Sequence, residues 1–293
     1  MKTGALIDPK YISFNQSLPA GLQATAIRTL ENMTGRIKVL RLAKKHAEEP
    51  ALPGNFWKQA LTRMRVDNEV SDAALARIPK TGPLVVFANH PHGLVDGMVL
   101  CNNISRVRSD FKILTRPFLT KLEEINPHMM PVAYPHEPDS IEKNIQMHKD
   151  AVAHVRGGGC LILFPAGAVA RAKSWWGDAA EMDWTPFLAR LILRGNAAAL
   201  PMYFGTQNSR WFQMAAQISN TARQGLLMHE IARSFGTVMR PVVGQPVPHT
   251  NFTGMGLRMP EMVQKLREMT FALANSQDGD QLPEDMELPR AAE

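Results

Sequence analysis

Short apolar runs recur through the middle of the chain, separated by longer stretches in which apolar positions return every three or four residues. Leu84–Ala88, Lys112–Thr115, Met129–Ala133, Cys160–Phe164 and Ala198–Phe204 read as buried strands, and Val238–Val243 as a weaker one interrupted by Pro241. Between them, Asp139–Arg156 and Thr221–Phe235 have helical periodicity. Strands alternating with helices predict an α/β fold, a mainly parallel or mixed sheet flanked by helices. Its 293 residues, 45% apolar and 20% charged, suffice to bury a substantial core.

The ends read differently. Residues 19–46 form an N-terminal helical region in which Leu22, Ala26, Ile27, Leu30, Met33, Ile37 and Leu40 share one face. Such a stripe packs on its own domain or lies on a membrane surface. Glu48–Gly54 is a linker, and Phe56, Trp57, Ala60, Leu61 and Met64 restart a helical period. Met255–Ala274 is a last helix, followed by an acidic tail. The expected organisation is a helical region over 1–78, an α/β domain over 79–250, and a terminal helix and tail over 251–293.

Charge sharpens this picture. The chain carries +6, but residues 276–293 hold a net −5, which leaves +11 on the remainder. Such a body favours an anionic partner: nucleic acid, an anionic bilayer or a phosphate-bearing cofactor. No RNA- or DNA-binding signature or aromatic–basic patch is present, which argues against nucleic acid. No apolar run approaches the roughly 18 residues of a membrane span. The opening MKTGALIDPKY lacks a signal peptide's apolar core. Cys101 and Cys160 cannot build a disulfide framework, so a reducing, cytoplasmic setting is expected.

Two segments carry chemistry. Phe87-Ala-Asn-His-Pro-His-Gly-Leu-Val-Asp-Gly97 directly follows a strand, where α/β sheets place their sites. Pro91 and Gly93 shape a turn, and Asp96 opens the next helix. A carboxylate bonded to one imidazole nitrogen leaves the other free to accept a proton, the logic of a general base. The same residues can instead merely cap and close the turn. A metal-dependent hydrolase using His90, His92 and Asp96 is the rival chemistry. The second segment, Cys160-Leu-Ile-Leu-Phe-Pro-Ala-Gly-Ala-Val169, is a strand ending in a turn whose amides can hold an anion or developing oxyanion. Arg171 and Lys173 follow it.

Together and in this order, the segments resemble the glycerolipid acyltransferase family, which carries Asn-His-x4-Asp after one strand and Phe-Pro-Glu-Gly after a later one. Here the first motif is His90-x5-Asp96, one residue longer. The form Asn89-His90-Pro91-x-Gly93-x-x-Asp96-Gly97 is similar to a bacterial subgroup known under hemolysin, lysophospholipid and ornithine-lipid acyltransferase labels. Trp184-Thr-Pro-Phe187, Tyr203-Phe-Gly-Thr-Gln-Asn-Ser-Arg-Trp-Phe212 and Val243-Gly-Gln-Pro-Val247 also match it, so the resemblance spans roughly residues 11–250.

That resemblance implies a glycerol-3-phosphate acyltransferase-like fold. It implies O-acyl transfer from acyl-CoA or acyl-carrier protein to the hydroxyl of a lyso-lipid, of lysophosphatidic acid or lyso-ornithine-lipid type, with no cofactor or metal. His90 becomes the base and Asp96 its orienting partner. Asn89, His92, Gly93, Phe164, Pro165, Ala166 and Gly167 become lining residues, with Gly167 on the acceptor or oxyanion side. The expected location is peripheral, on the inner face of the cell membrane, held by an anionic lipid surface. Two departures bear on the acceptor. The family's glutamate is Ala166, and the phosphate-holding arginine is missing from Met129-Met-Pro-Val-Ala-Tyr134. Arg171 and Lys173 are the candidates to replace that grip.

Overall fold

A computed structural model describes Pro9 and residues 12–275; the acidic tail and most of the opening segment lie outside the described residues. Helices α1 (Leu22–Thr34), α2 (Arg36–Glu48) and α3 (Phe56–Met64) lead into β1 (Asp67–Asn68) and α4 (Asp72–Ala76). Next come β2 (Leu84–Ala88), α5 (Leu94–Ser105), β3 (Phe111–Thr115), β4 (Met129–Pro131), α6 (Ser140–Arg156) and β5 (Cys160–Leu163). A hairpin of β6 (Arg171–Ala172) and β7 (Ala179–Ala180) precedes α7 (Phe187–Gly195) and β8 (Ala198–Tyr203). Helices α8 (Arg210–Ile218), α9 (Asn220–Gly225) and α10 (Leu227–Arg233) follow. The described chain closes with β9 (Val238–Met239), β10 (Val242–Val243), α11 (His249–Gly254) and α12 (Met259–Ala272).

The main sheet has the order β10-β8-β2-β5-β3-β4 and is parallel except for β10. A strand apolar at every position must be covered on both faces, and β2 is buried throughout at its centre. Leu84, Val86 and Ala88 join one core cluster with α3 and α5 residues; Val85 and Phe87 join the other, with α6, α7 and α12 residues. Residues of α3 and of α12, from either side of 79–250 in the chain, thus cover opposite faces of β2. The expected strand Val238–Val243 splits at Pro241, whose missing N–H cannot serve a ladder. β9 pairs with β1 in a separate two-stranded sheet, and β10 pairs with β8.

The N-terminal stripe is corrected as well. The expected helical region over 19–46 breaks at Gly35 into two helices; α1 buries Ala24, Ile27 and Glu31, and of the stripe Leu22, Met33 and Ile37 are exposed. Gly35 is required by contact: a Cβ there would lie 2.2 Å from the Met228 carbonyl oxygen. Likewise, Gly225 receives Leu30, whose Cδ2 would be 2.7 Å from an added Cβ. Through these two glycines α1 and α2 settle on α9 and α10. Thr221–Phe235 correspondingly divides into α9 and α10 around Leu226.

Arg108 fastens the end of the sheet opposite the candidate site. Its guanidinium donates to the carbonyls of Pro79, Gly82 and Gly158 and makes two bonds to the Asp110 carboxylate, at 2.8 and 2.6 Å. It thereby ties together the leads into β2, β3 and β5. The bond from Arg108 holds the Asp110 carboxyl below its ordinary 3.8. A depressed carboxyl stabilises the fold above its unfolded value, and that contribution disappears as pH falls through the native value. Asp110→Asn should therefore cost on the order of 1 kcal/mol at neutral pH, a figure kept small because about half the side chain faces water. Denaturant titrations should show the variant and the parent converging as pH falls below 3.8 and through the depressed native value.

Candidate active site

The parallel neighbours β8, β2 and β5 end side by side, and their three following loops form the site. Asn89, the first residue past β2, donates to the Phe204 carbonyl at 2.9 Å and accepts from the Phe204 amide at 2.7 Å. Its side chain thus joins two loops. The chain then turns through Pro91 to Gly93, which adopts φ +94° and would place a Cβ 3.2 Å from Val169. Both features favour glycine at that position.

α5 starts at Leu94, and Asp96 occupies its third position as the capping carboxylate. Its fully buried Oδ2 accepts from the Gly93 amide at 3.1 Å and the His92 amide at 2.8 Å. The same oxygen lies 3.1 Å from His90 Nδ1. Asp96 therefore both caps the helix and orients His90, joining the two readings left open by the sequence. A carboxylate partner places the proton on Nδ1 and leaves Nε2 as the basic nitrogen. Phe164, just past β5, stacks on the His90 ring with centroids 3.8 Å apart, fixing the ring plane.

His92 is held separately. Its Nδ1 lies 3.2 Å from Asn208 Oδ1 and its Nε2 2.7 Å from Thr206 Oγ1. Both ring nitrogens are engaged by the loop after β8. Among the described residues, no group of three or more His, Cys, Asp or Glu side chains is arranged to hold a metal. His90, His92 and Asp96 thus do not make the donor set the hydrolase alternative requires.

In the turn after β5, the Gly167 amide donates to the Phe164 carbonyl at 2.9 Å and is used internally. Pro165 is buried and its carbonyl accepts from the Thr185 amide at 3.1 Å, while Ala166 belongs to an apolar cluster with Trp184. The carboxylate of this neighbourhood comes from Glu181 instead. Glu181 accepts from the His90 amide in a short bond and from the Trp184 indole at 2.6 Å. Burial, outweighing these bonds, raises its carboxyl above the ordinary value. Pattern reasoning missed Glu181, Thr206 and Asn208. They lie about ninety or more positions from their histidine partners, and the only signal was that each falls in or near a subgroup-matching stretch.

Arg171 lies in β6, half-buried, and Lys173 is exposed just beyond. The Gln213 and Gln217 side chains bond the Ala172 backbone at 2.7 and 2.6 Å, fastening β6 to α8. Burial, then the positive charges of Arg171 and Arg116, hold the Arg223 guanidinium below its usual value. Among the described residues, no carboxylate forms an ion pair with any of these three arginines. Cys101 and Cys160 are buried, and desolvation pushes the Cys160 thiol up to about 12. Neither is poised as a nucleophile.

The lyso-glycine lipid O-acyltransferase of Bacteroides thetaiotaomicron is 23% identical over 198 residues, covering 64% of this chain and 69% of that protein. The crystal structure of the 1-acyl-sn-glycerophosphate (LPA) acyltransferase PlsC from Thermotoga maritima aligns at a TM-score of 0.49 and 13% identity, over 86% of this chain and 79% of that one. The Acyltransferase family model matches residues 17–280, nearly the whole described chain, and the protein belongs to that acyltransferase family.

Proposed function

We propose that this acyltransferase moves a fatty acyl group from a thioester, acyl-CoA or acyl-carrier protein, to the hydroxyl of a lyso-lipid whose head group is an amino acid. The observation that carries the chemistry is His90, with Nδ1 on a buried carboxylate and its ring pinned by Phe164. Nε2 removes the proton from the acceptor hydroxyl as its oxygen attacks the thioester carbonyl carbon. The tetrahedral intermediate collapses with cleavage of the carbon–sulfur bond, and the departing sulfur takes the proton back from His90. Atoms and charge balance without an acyl-enzyme or a cofactor, which suits a chain whose two thiols are buried.

Ala166 in place of the family's glutamate supports an acceptor other than lysophosphatidic acid, and so does the name of the Bacteroides relative. Arg116, Arg171 and Arg223 would then meet the carboxylate of an amino-acid head group, for which arginine is the suited partner. Thiol release from acyl-CoA tests this reading. A lyso-lipid with an amino-acid head group should surpass lysophosphatidic acid by about tenfold or more in kcat/KM. The reverse preference would overturn the head-group assignment. Failure of either thioester to acylate either acceptor would overturn the lyso-lipid reading itself.

A further inference from the structure

The five tryptophans divide between the core and one region of the described surface, while Leu22, Met33 and Ile141 are exposed elsewhere. Trp57 and Trp184 are buried, whereas Trp175 is 47% exposed, Trp176 81% and Trp211 70%. Trp175 and Trp176 stand at the tip of the β6–β7 hairpin. Trp211 lies on α8, and Ile218, 69% exposed, returns to the same side two turns later. Met214 is half-buried between them. Exposed indoles cost hydration, and a contiguous apolar set of this kind marks an interaction surface.

Hairpin and helix are joined to each other and to the site. Arg210 donates to the carbonyls of Trp176 and Gly177 at 3.2 and 2.8 Å, bringing the hairpin tip beside the start of α8. At its root, the Ala170 amide donates to the His90 carbonyl at 2.9 Å. On the other strand, the Ala179 amide donates to Gln207 at 2.9 Å, in the loop that holds His92. The tryptophans therefore sit on direct continuations of the site walls.

The charge around them is mainly positive. Residues 166–177 and 203–229 contain Arg171, Lys173, Arg210 and Arg223 and no Asp or Glu. Asp178, the adjoining acid, lies 3.8 Å from Arg210. Indole rings favour the head-group level of a bilayer, and neighbouring cations favour its phosphates. We propose that Trp175, Trp176, Trp211 and Ile218 form the surface by which the protein sits on an anionic lipid bilayer, with its catalytic loops facing the lipid. This rests on the reading that the acceptor is a lyso-lipid. It places the contact on the hairpin and α8, which continue the catalytic loops, and away from the basic N-terminal helices, which dock on α9 and α10.

The test uses the full chain and vesicles of phosphatidylcholine mixed equally with phosphatidylglycerol, against phosphatidylcholine alone, without substrate. Tryptophan emission should shift to the blue and be quenched by brominated lipid chains, more strongly on the anionic vesicles and less at high salt. The triple variant W175S/W176S/W211S should lose about tenfold or more in vesicle partition, whereas L22S/M33S should bind like the parent. Circular dichroism and melting temperature show whether each remains folded, and unquenched emission in the parent settles the matter if the triple variant does not fold. Overturning results are unchanged binding by a folded triple variant, loss confined to L22S/M33S, or a parent dimer that the triple variant dissociates. Because His90→Ala should bind vesicles like the parent, failure of the transferase reading would leave this outcome separately measurable.

Discussion

His90→Ala should lower acyl transfer by about 10²–10⁴-fold while leaving the fold intact, the usual worth of a positioned base. Truncation leaves Asp96 with its two backbone donors, so the start of α5 keeps its cap. Asp96→Asn should impair turnover by a similar order. An amide oxygen can replace the one carboxylate oxygen that serves all three donors, but it cannot offer the imidazolium a full negative charge. His92→Ala should stay within about tenfold of the parent, because its ring nitrogens are taken by Thr206 and Asn208. Thiol release measures all three, with circular dichroism as the folding control. An inactive His92→Ala beside an active His90→Ala would reverse the roles.

The second large effect is expected at Glu181. Its two oxygens accept from two donors, the His90 amide and the Trp184 indole. Glutamine has one acceptor oxygen and an NH₂, so Glu181→Gln must turn a donor toward a donor. One buried N–H is then left unsatisfied, worth about 1–3 kcal/mol of stability. If the His90 backbone is the group that moves, the base shifts from its line with the acceptor, and a displacement near 1 Å costs roughly 10²-fold in rate. The loss should fall on kcat more than on KM, since Glu181 acts through the position of His90. Steady-state kinetics and a melting curve of the same preparation check it. A stable variant with parental kcat would remove Glu181 from any positioning role.

What could be read from the chain was local. Leu84–Ala88 and Cys160–Leu163 are apolar at every position, so their burial and central place followed from pattern. His90 and Asp96 lie within one turn of chain, and Pro91 and Gly93 between them announce a loop that can fold back. The misses were contacts made at long range. Gly35 looks like any helical glycine until Met228 is brought against it from nearly two hundred residues away. Asn89 gave no hint of its bonds to Phe204, which lies just past a strand that meets β2 only in three dimensions. Glu181 stood in an unremarkable stretch between Asp178 and Asp183, with nothing to show that it turns inward.

The margins of the sheet carry a consequence for how the protein behaves when crowded. β4 is three residues long and ends at Pro131, while β10 is two residues long and follows Pro241. Neither margin offers a row of free amides and carbonyls long enough to template an incoming chain. High local concentration, such as adsorption to a two-dimensional surface would impose, therefore finds no ready strand at the margins of the main sheet along which copies could polymerise.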